Sequence, residues 1–500
     1  MRFALALFAL SVAAQPPDLI LHNGKIVTVD AKFSVRQAIA VRGTRIAAVG
    51  SNAEVLRTKG PSTQLIDLAG KTVIPGLMDS HTHAVDAAMY EFDHPVPDML
   101  TVDDVLRYLE GRAKVTTKGE WIVLSQVFIT RLREQRYPTR AELDRIAPEH
   151  PVAFRTGPDA SLNSMALARS GITRAPHPSE GKGGKIERDA SGEPTGILRS
   201  AAQFLKIPAA TRTPTRDDRV NRLRMLLKDY NSLGITSIAD RDASDEEVEV
   251  YRLAKERGLL SCRVFVNLHI EPNEAPEKVE ARVKYAAAHP LHRYDGMLWL
   301  RGLKAYLDGG MLTGSAYMRE PWGVSKIYSI TDPSYRGLRY IEPEALYRVA
   351  KLALANELQF TAHSVGDGAV TALVDAYERV NREFPVRPAR PCLTHANFMT
   401  GDVIDTMARL GIVADLQPAW LEHDGATLAK QFGDPRLRLF QPYKTLFSKG
   451  VMIGGGSDHM QKIGGMRSIN RYHPFWAMWV TLTRQPRWSD RPLHPGADLA

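Results

Sequence analysis

Eight apolar, strand-like runs punctuate the chain between residues 72 and 458, and several are separated by segments with the period of an amphipathic helix. The runs are TVIPGLMD (72–79), GITSIAD (234–240), RVFVNL (263–268), LRGLKAYLD (300–308), QFTAHS (359–364), CLTHAN (392–397), GIVADLQ (411–417) and VMIGGGSD (451–458). Strands that read as continuously apolar are covered on both faces, which is a property of parallel sheets, and parallel neighbours need a crossover between them. The helical period is plain in Leu346, Val349, Ala353 and Leu354 ahead of the fifth run and in Val370, Leu373, Val374 and Tyr377 after it. It recurs in Val403, Met407 and Leu410, with Gly411 as the stop. Eight such units close a sheet on itself, so the predicted fold class is α/β, a (β/α)8 TIM-like barrel.

Ahead of the barrel, LILHNGKIVTVD, QAIAVRGTRIAAVG and STQLIDLAG are short β-like runs with Asn23-Gly24 and Gly43 as hairpin punctuation. They predict a small N-terminal β-sandwich module over 15–72, expected to be incomplete because the chain stops at LHPGADLA soon after the barrel closes. The barrel is assigned to 73–500, with a long insertion, 84–233, after its first strand. That insertion has strand-like pieces, GEWIVLSQV and HPVAFRT, and a Gly/Pro-rich stretch from 171 to 196; it is expected to overhang the barrel mouth and shape the pocket. Residues 1–14 carry Arg2, an apolar stretch from Phe3 and small residues at the end, which resembles a secretory signal peptide. The expectation is export, periplasmic or secreted, and a cytoplasmic location if that segment is not a signal; the stretch is too short to span a bilayer.

A formal charge of +9 raises the question of an acidic partner, but RLREQR (131–136) and GKGGKIERD (181–189) are diluted by acids or glycines. Mixed runs of this kind read as solvated surface, so neither nucleic acid nor membrane insertion is expected. The expected partner is a small-molecule substrate, with a homo-oligomer left open. Cys262 and Cys392 each begin an apolar run and are read as buried thiols rather than a disulfide.

Barrels of this kind carry their chemistry at the C-terminal ends of the strands. Found there are His81 and His83 at strand one, Lys304 at four, His363 at five, His395 at six and Asp458 at eight. Alternate residues of a strand share a face, so His81 and His83 point to one place. Any one of these residues alone is more often a hydrogen-bonded structural group. Four histidines and an aspartate at one rim form a nitrogen and oxygen shell suited to zinc, with manganese, iron or cobalt as substitutes.

PGLMDSHTH, followed in order by LKAYLDGG, AHSVGD, LTHANF and GGGSDHM, resembles the metal-dependent amidohydrolase superfamily. YPTRAELDRIAPEHPVAFR, LNSMAL, GEPTGIL and LGITSIAD are similar to amidohydrolase family 3, which includes the N-substituted formamide deformylases. The resemblance covers roughly residues 18 to 475. It implies two divalent metal ions: His81, His83 and Asp458 would hold the more buried one, His363 and His395 the more exposed one, and Lys304, carboxylated by CO2, would bridge them. An ammonium has no lone pair to offer a cation, so only the carbamate makes chemical sense there; the plainer reading pairs Lys304 with Asp308. The implied reaction is hydrolysis of an amide-type C–N bond, in an amide, formamide or cyclic amide, by a metal-bridging hydroxide, with Asp458 taking the proton and returning it to the departing nitrogen.

Two departures bear on specificity. Relatives often carry Asp-Gly-His where this chain reads TGPDASLNS, which makes Asp159 a candidate substrate-binding residue in place of a missing histidine. His459, next to Asp458, either lines the pocket or packs under the last helix. Three rivals stay open. A lactonase or phosphotriesterase would use the same hydroxide. A mononuclear deaminase would need a glutamate that HSVGDGAV and HANFMTGD do not offer. An exported, non-catalytic metal-containing binding protein would need no open coordination position.

Overall fold

The computed structural model describes residues 15–177, 180, 184–208, 213–486 and 490–493. The leader-like segment 1–14 lies outside the described residues, as do 178–179 and 181–183 of the Gly/Pro-rich stretch and 494–500. The chain divides into two compact units, Met1–Leu77 and Met78–Ala500.

The first unit is built from two small sheets. One has four strands in the order Arg45–Gly50, Ala38–Arg42, Leu19–His22, Gln64–Asp67; the other has three, Val35–Arg36, Lys25–Val27, Thr72–Val73. Ile20, Ala38, Ala40 and Val55 form its buried core.

In the second unit, eight parallel strands lie side by side in sequence order: Leu77–Thr82, Ile235–Ala243, Arg263–His269, Leu298–Tyr306, Gln359–Ser364, Cys392–His395, Val413–Leu416 and Ile453–Gly455. Each corresponds to one of the eight runs read from the sequence. The sheet closes where strand one meets the segment after strand eight: the His83 amide donates to the His459 carbonyl and the Asp458 amide donates to the His81 carbonyl, both at 2.8 Å. The first run needs correction, because Pro75-Gly76 divides it. Thr72–Val73 pairs in the small sheet, and the barrel strand begins only at Leu77, so His81 lies within the strand. Proline brings no amide hydrogen to a ladder and breaks the run there.

The crossover helices follow the sequence pattern. Pro343–Ala355 and Asp367–Asn381 bury the residues singled out by their period, and Gly401–Leu410 ends on Gly411 in the left-handed conformation (φ 71°). One continuous apolar core joins these helices to the strands. Cys262 and Cys392 are buried and free. No helix among the described residues is long and apolar enough to cross a membrane.

The insertion after strand one forms a five-stranded sheet in the order Lys185–Arg188, Pro194–Arg199, Asp159–Leu162, Val152–Thr156, Ile122–Leu124, with apolar cores of its own. The crossover helix to strand two, Arg216–Ser232, follows it. A second excursion, 307–342, separates strand four from its helix, and a further helix, Pro418–Phe432, follows strand seven. Both supply walls to the site.

Candidate metal centre at the barrel mouth

His81 is the fifth residue of strand one and His83 the first beyond it, so both imidazoles project from the strand's C-terminal end. Asp458 faces them from the end of strand eight. Its Oδ1 lies 3.3 Å from His81 Nε2 and 3.2 Å from His83 Nε2. One ligand atom from each of the three falls within 4.8 Å of the others, a spacing that one cation can satisfy. His81 Nε2 is buried and makes no hydrogen bond. A buried polar nitrogen without a partner is costly, and an electrophile between it and Asp458 would satisfy it.

The other predicted residues gather beside this trio. The His395 ring stacks on His81 with centroids 4.9 Å apart, and His363 meets His395 edge-on at 4.5 Å. Lys304 is buried, and its Nζ lies 4.9 Å from the centre of the Tyr306 ring. The expected alternative, a Lys304–Asp308 pair, is not formed, because the Asp308 carboxylate accepts the amides of Tyr317, Val365 and Gly366, each at 2.9 Å. His395 and Asp458 sit in left-handed backbone conformations (φ 75° and 56°), which cost non-glycine residues free energy. The Ala396 amide donating to the Ser364 carbonyl and the Asn470 side chain donating to the Asp458 carbonyl hold them there.

Protonation fits a ligand role at three of the four imidazoles. Burial, then the charges of His395 and Lys304, drives His81 well below the ordinary histidine pKa. Burial and Lys304 bring His363 down to about 3, and burial followed by His363 and Lys304 lowers His395 strongly. These three are neutral imidazoles with lone pairs to give. Burial alone would also lower His83, but the hydrogen bond and charge of Asp458 outweigh it and raise the pKa to about 9. Burial lowers Lys304 too, against the opposing pull of Asp242 and Asp458.

A layer of partners missed in the sequence orients the imidazoles. His81 Nδ1 binds Asp415 Oδ2 at 3.0 Å and His395 Nδ1 binds Gln417 Oε1 at 2.8 Å, which leaves Nε2 of each ring facing inward. Both partners come from the end of strand seven, two residues apart on one face. The signal was present as an acid and an amide at alternate positions of an otherwise apolar run.

A cavity of about 520 Å³ opens over the cluster, lined by His83, Lys304, His363, His395 and Asp458 on the barrel side. The insertion contributes Gln126, Phe128, Pro158, Ser200 and Gln203; the two excursions contribute Met311, Leu312, Tyr340 and Trp420. Trp420 stacks on His395 at 4.8 Å. Two candidates are not brought to this wall. Asp159 is buried in the insertion, where its carboxylate accepts from Tyr137 Oη (2.8 Å), Arg199 (3.0 Å) and the Ser200 amide (2.7 Å); it borders a separate cavity instead. The hairpin register Thr156↔Asp159 turns it inward. His459 is fully buried, with Nδ1 on Tyr230 Oη at 2.6 Å and Nε2 against the carbonyls of Gln461 and Lys462. Following Asp458 directly, it points to the opposite side of the chain.

A closed parallel barrel with this rim of imidazoles and carboxylate is the framework of a metal-dependent hydrolase. The chain belongs to the amidohydrolase family, whose profile matches residues 64–490. It is 30% identical over 496 residues to the N-substituted formamide deformylase of Arthrobacter pascens, covering 96% of this chain and 86% of that protein. It is 27% identical to protein LONG AFTER FAR-RED 3 of Arabidopsis thaliana, covering 93% and 80%. Among solved structures, an uncharacterized metal-dependent hydrolase from Pyrococcus furiosus shares the fold, with a TM-score of 0.64 at 20% identity over 93% of this chain and 89% of that one.

Proposed function

We propose that the protein hydrolyses the amide-type C–N bond of a small, uncharged substrate with an apolar nitrogen substituent, as in an N-substituted formamide or a cyclic amide. His81, His83 and Asp458 would hold one divalent ion, with zinc the first expectation; His363 and His395 would hold a second, and Lys304 would bridge as its carbamate. A depressed lysine pKa supports that last assignment, because only a neutral amine adds to CO2. When bound, such ions polarise a carbonyl oxygen and bring the pKa of a water from about 15.7 towards 7.

The chain's own groups do the rest. Among the described residues Asp458 is the one carboxylate facing both histidines, and its second oxygen can take the proton of the attacking water and deliver it to the leaving nitrogen as the C–N bond breaks. Phe128, Met311, Leu312 and Trp420 shield the reacting carbon from bulk water and pack against the substituent. Lys304, Asp308 and Asp458 are the only charged groups other than histidines on the cavity wall among the described residues, so a substrate carboxylate would find no arginine partner. Among the described residues the wall carries no glutamate, the general acid that the deaminase reading requires.

The observation that carries this reading is the convergence of His81 Nε2, a buried nitrogen without a hydrogen bond, with His83 and Asp458 under an apolar cavity. The test is turnover of N-acyl, formamide and cyclic amide substrates by zinc-loaded protein, with Asp458→Asn alongside. Expected is hydrolysis of neutral amides, reduced at least about 10²-fold by Asp458→Asn when the two proteins are compared at equal zinc occupancy. Hydrolysis of lactones or phosphotriesters alone, or full activity of Asp458→Asn, would refute it; zinc retention without any turnover would favour a binding protein.

A further inference from the structure

We propose that Arg241 is a positioning residue that fixes His81 for its ligand role, acting through Asp415 and Ser80. The proposal rests on the metal-site reading above. Arg241 lies on strand two, but its guanidinium is buried inside the barrel, with the residue only 8% exposed. Nε donates to the Ser80 carbonyl of strand one at 2.9 Å; Nη1 donates to Asn267 Oδ1 of strand three at 3.2 Å and to Gln359 Oε1 of strand five at 2.8 Å. Nε also stands 3.8 Å from Asp415 Oδ2 of strand seven. From an even-numbered strand, one planar fork thus reaches all four odd-numbered strands, the ones whose side chains share layers in such barrels.

Its Nε contacts converge on the residue before His81 and on the acid behind it, while Nη1 ties the fork to strands three and five. Asp415 Oδ2, the oxygen nearest Arg241, is the one that holds His81 Nδ1, while Oδ1 accepts the Ser80 hydroxyl at 2.6 Å. Ser80 is therefore held twice, through its carbonyl by Arg241 and through its hydroxyl by Asp415, and His81 is the next residue along the strand. A carboxylate this deeply buried needs a countercharge, and Arg241 is the one arginine or lysine within ion-pair distance of it among the described residues. A merely structural arginine would tie the strands together without this focus on one imidazole.

The experiment measures zinc affinity by chelator competition, and the melting temperature of zinc-free protein, on the full chain. It compares wild type, Arg241→Gln, Arg241→Lys, Asp415→Asn and the Arg241→Gln/Asp415→Asn double variant. Expected is a loss of zinc affinity of about 10–100-fold in folded Arg241→Gln, the range for removing an outer partner of a metal-ligating histidine. The double variant should bind zinc no more weakly than Asp415→Asn alone, because both changes act through one imidazole. The proposal is overturned if Arg241→Gln lowers only the melting temperature, with zinc affinity within about twofold of wild type, or if the two losses multiply. Should Arg241→Gln fail to fold, Arg241→Lys decides: it keeps the charge without the fork, and a loss of about threefold or more supports positioning while a smaller one overturns it. A wild-type chain that binds no zinc refutes the metal site itself, whereas a binding wild type with unaffected variants refutes only the role of Arg241.

Discussion

Strand eight ends beside His81 in three consecutive glycines, 454–456, and Gly456→Ala tests why. A Cβ at 456 would stand 2.5 Å from His81 Cβ, 2.9 Å from the His81 backbone nitrogen and 3.2 Å from Asp415 Oδ1. Ordinary contacts begin near 3.4 Å, so strand one would have to retreat by about 1 Å. The obstructing atoms lie at the root of His81 rather than at a flexible tip, so the displacement is transmitted to the imidazole. Overpacking of this kind costs about 1–3 kcal/mol of stability, and a misplacement of about 1 Å near reacting groups costs about 10²-fold in rate. Gly455→Ala supplies the control, because a Cβ there meets nothing within 4 Å. Steady-state kinetics on the best neutral amide, with zinc titration of both variants, should show Gly456→Ala losing about 10²-fold in kcat/KM and binding zinc more weakly, with Gly455→Ala close to wild type. Equal behaviour of the two variants, or wild-type zinc affinity in Gly456→Ala, would refute the steric reasoning.

Three further outcomes follow from the site. His83 holds a proton up to about pH 9 against Asp458, and metal uptake must release it; apparent zinc affinity should therefore rise about tenfold per pH unit below 9 and level off above it, as read by zinc titrations from pH 6 to 10. Gln417→Ala removes the acceptor on His395 Nδ1 and should weaken the second zinc equivalent about 10–100-fold, with the first little changed, in stepwise titration. Trp420→Ala removes a cavity wall and a stacking partner of His395; it should raise KM for amides with large apolar substituents by about tenfold while leaving N-methylformamide nearly unaffected.

The barrel was legible because its eight apolar runs and their crossover periods report local chemistry: a strand buried on both faces keeps few polar residues, and most of them gather towards its ends. For the same reason His81, His83, Lys304, His363, His395 and Asp458 stood out as polar residues at strand ends. Asp415 was hidden because one acid within an apolar run reads as a satisfied core group, and Arg241 because the second strand runs three residues beyond the apolar pattern, to Ala243. The sequence leaves Asp159 and His459 open between pocket and packing for a different reason: their direction is set by hairpin register and by backbone alternation beside Asp458, neither of which composition reveals. The 307–342 excursion likewise has no period of its own, so its contribution of Met311, Leu312 and Tyr340 to the cavity emerges only when the chain is folded.

The two hydrogen bonds that seal the barrel join His81 to Asp458 and His83 to His459, so the seam of the cylinder and the candidate metal centre coincide. A ribosome-bound chain that has not yet delivered its final strand lacks both the seal and the only carboxylate of the trio. On the proposed reading, hydrolytic competence would require strand eight to be docked, and an ion held there would act as a rivet across the joint.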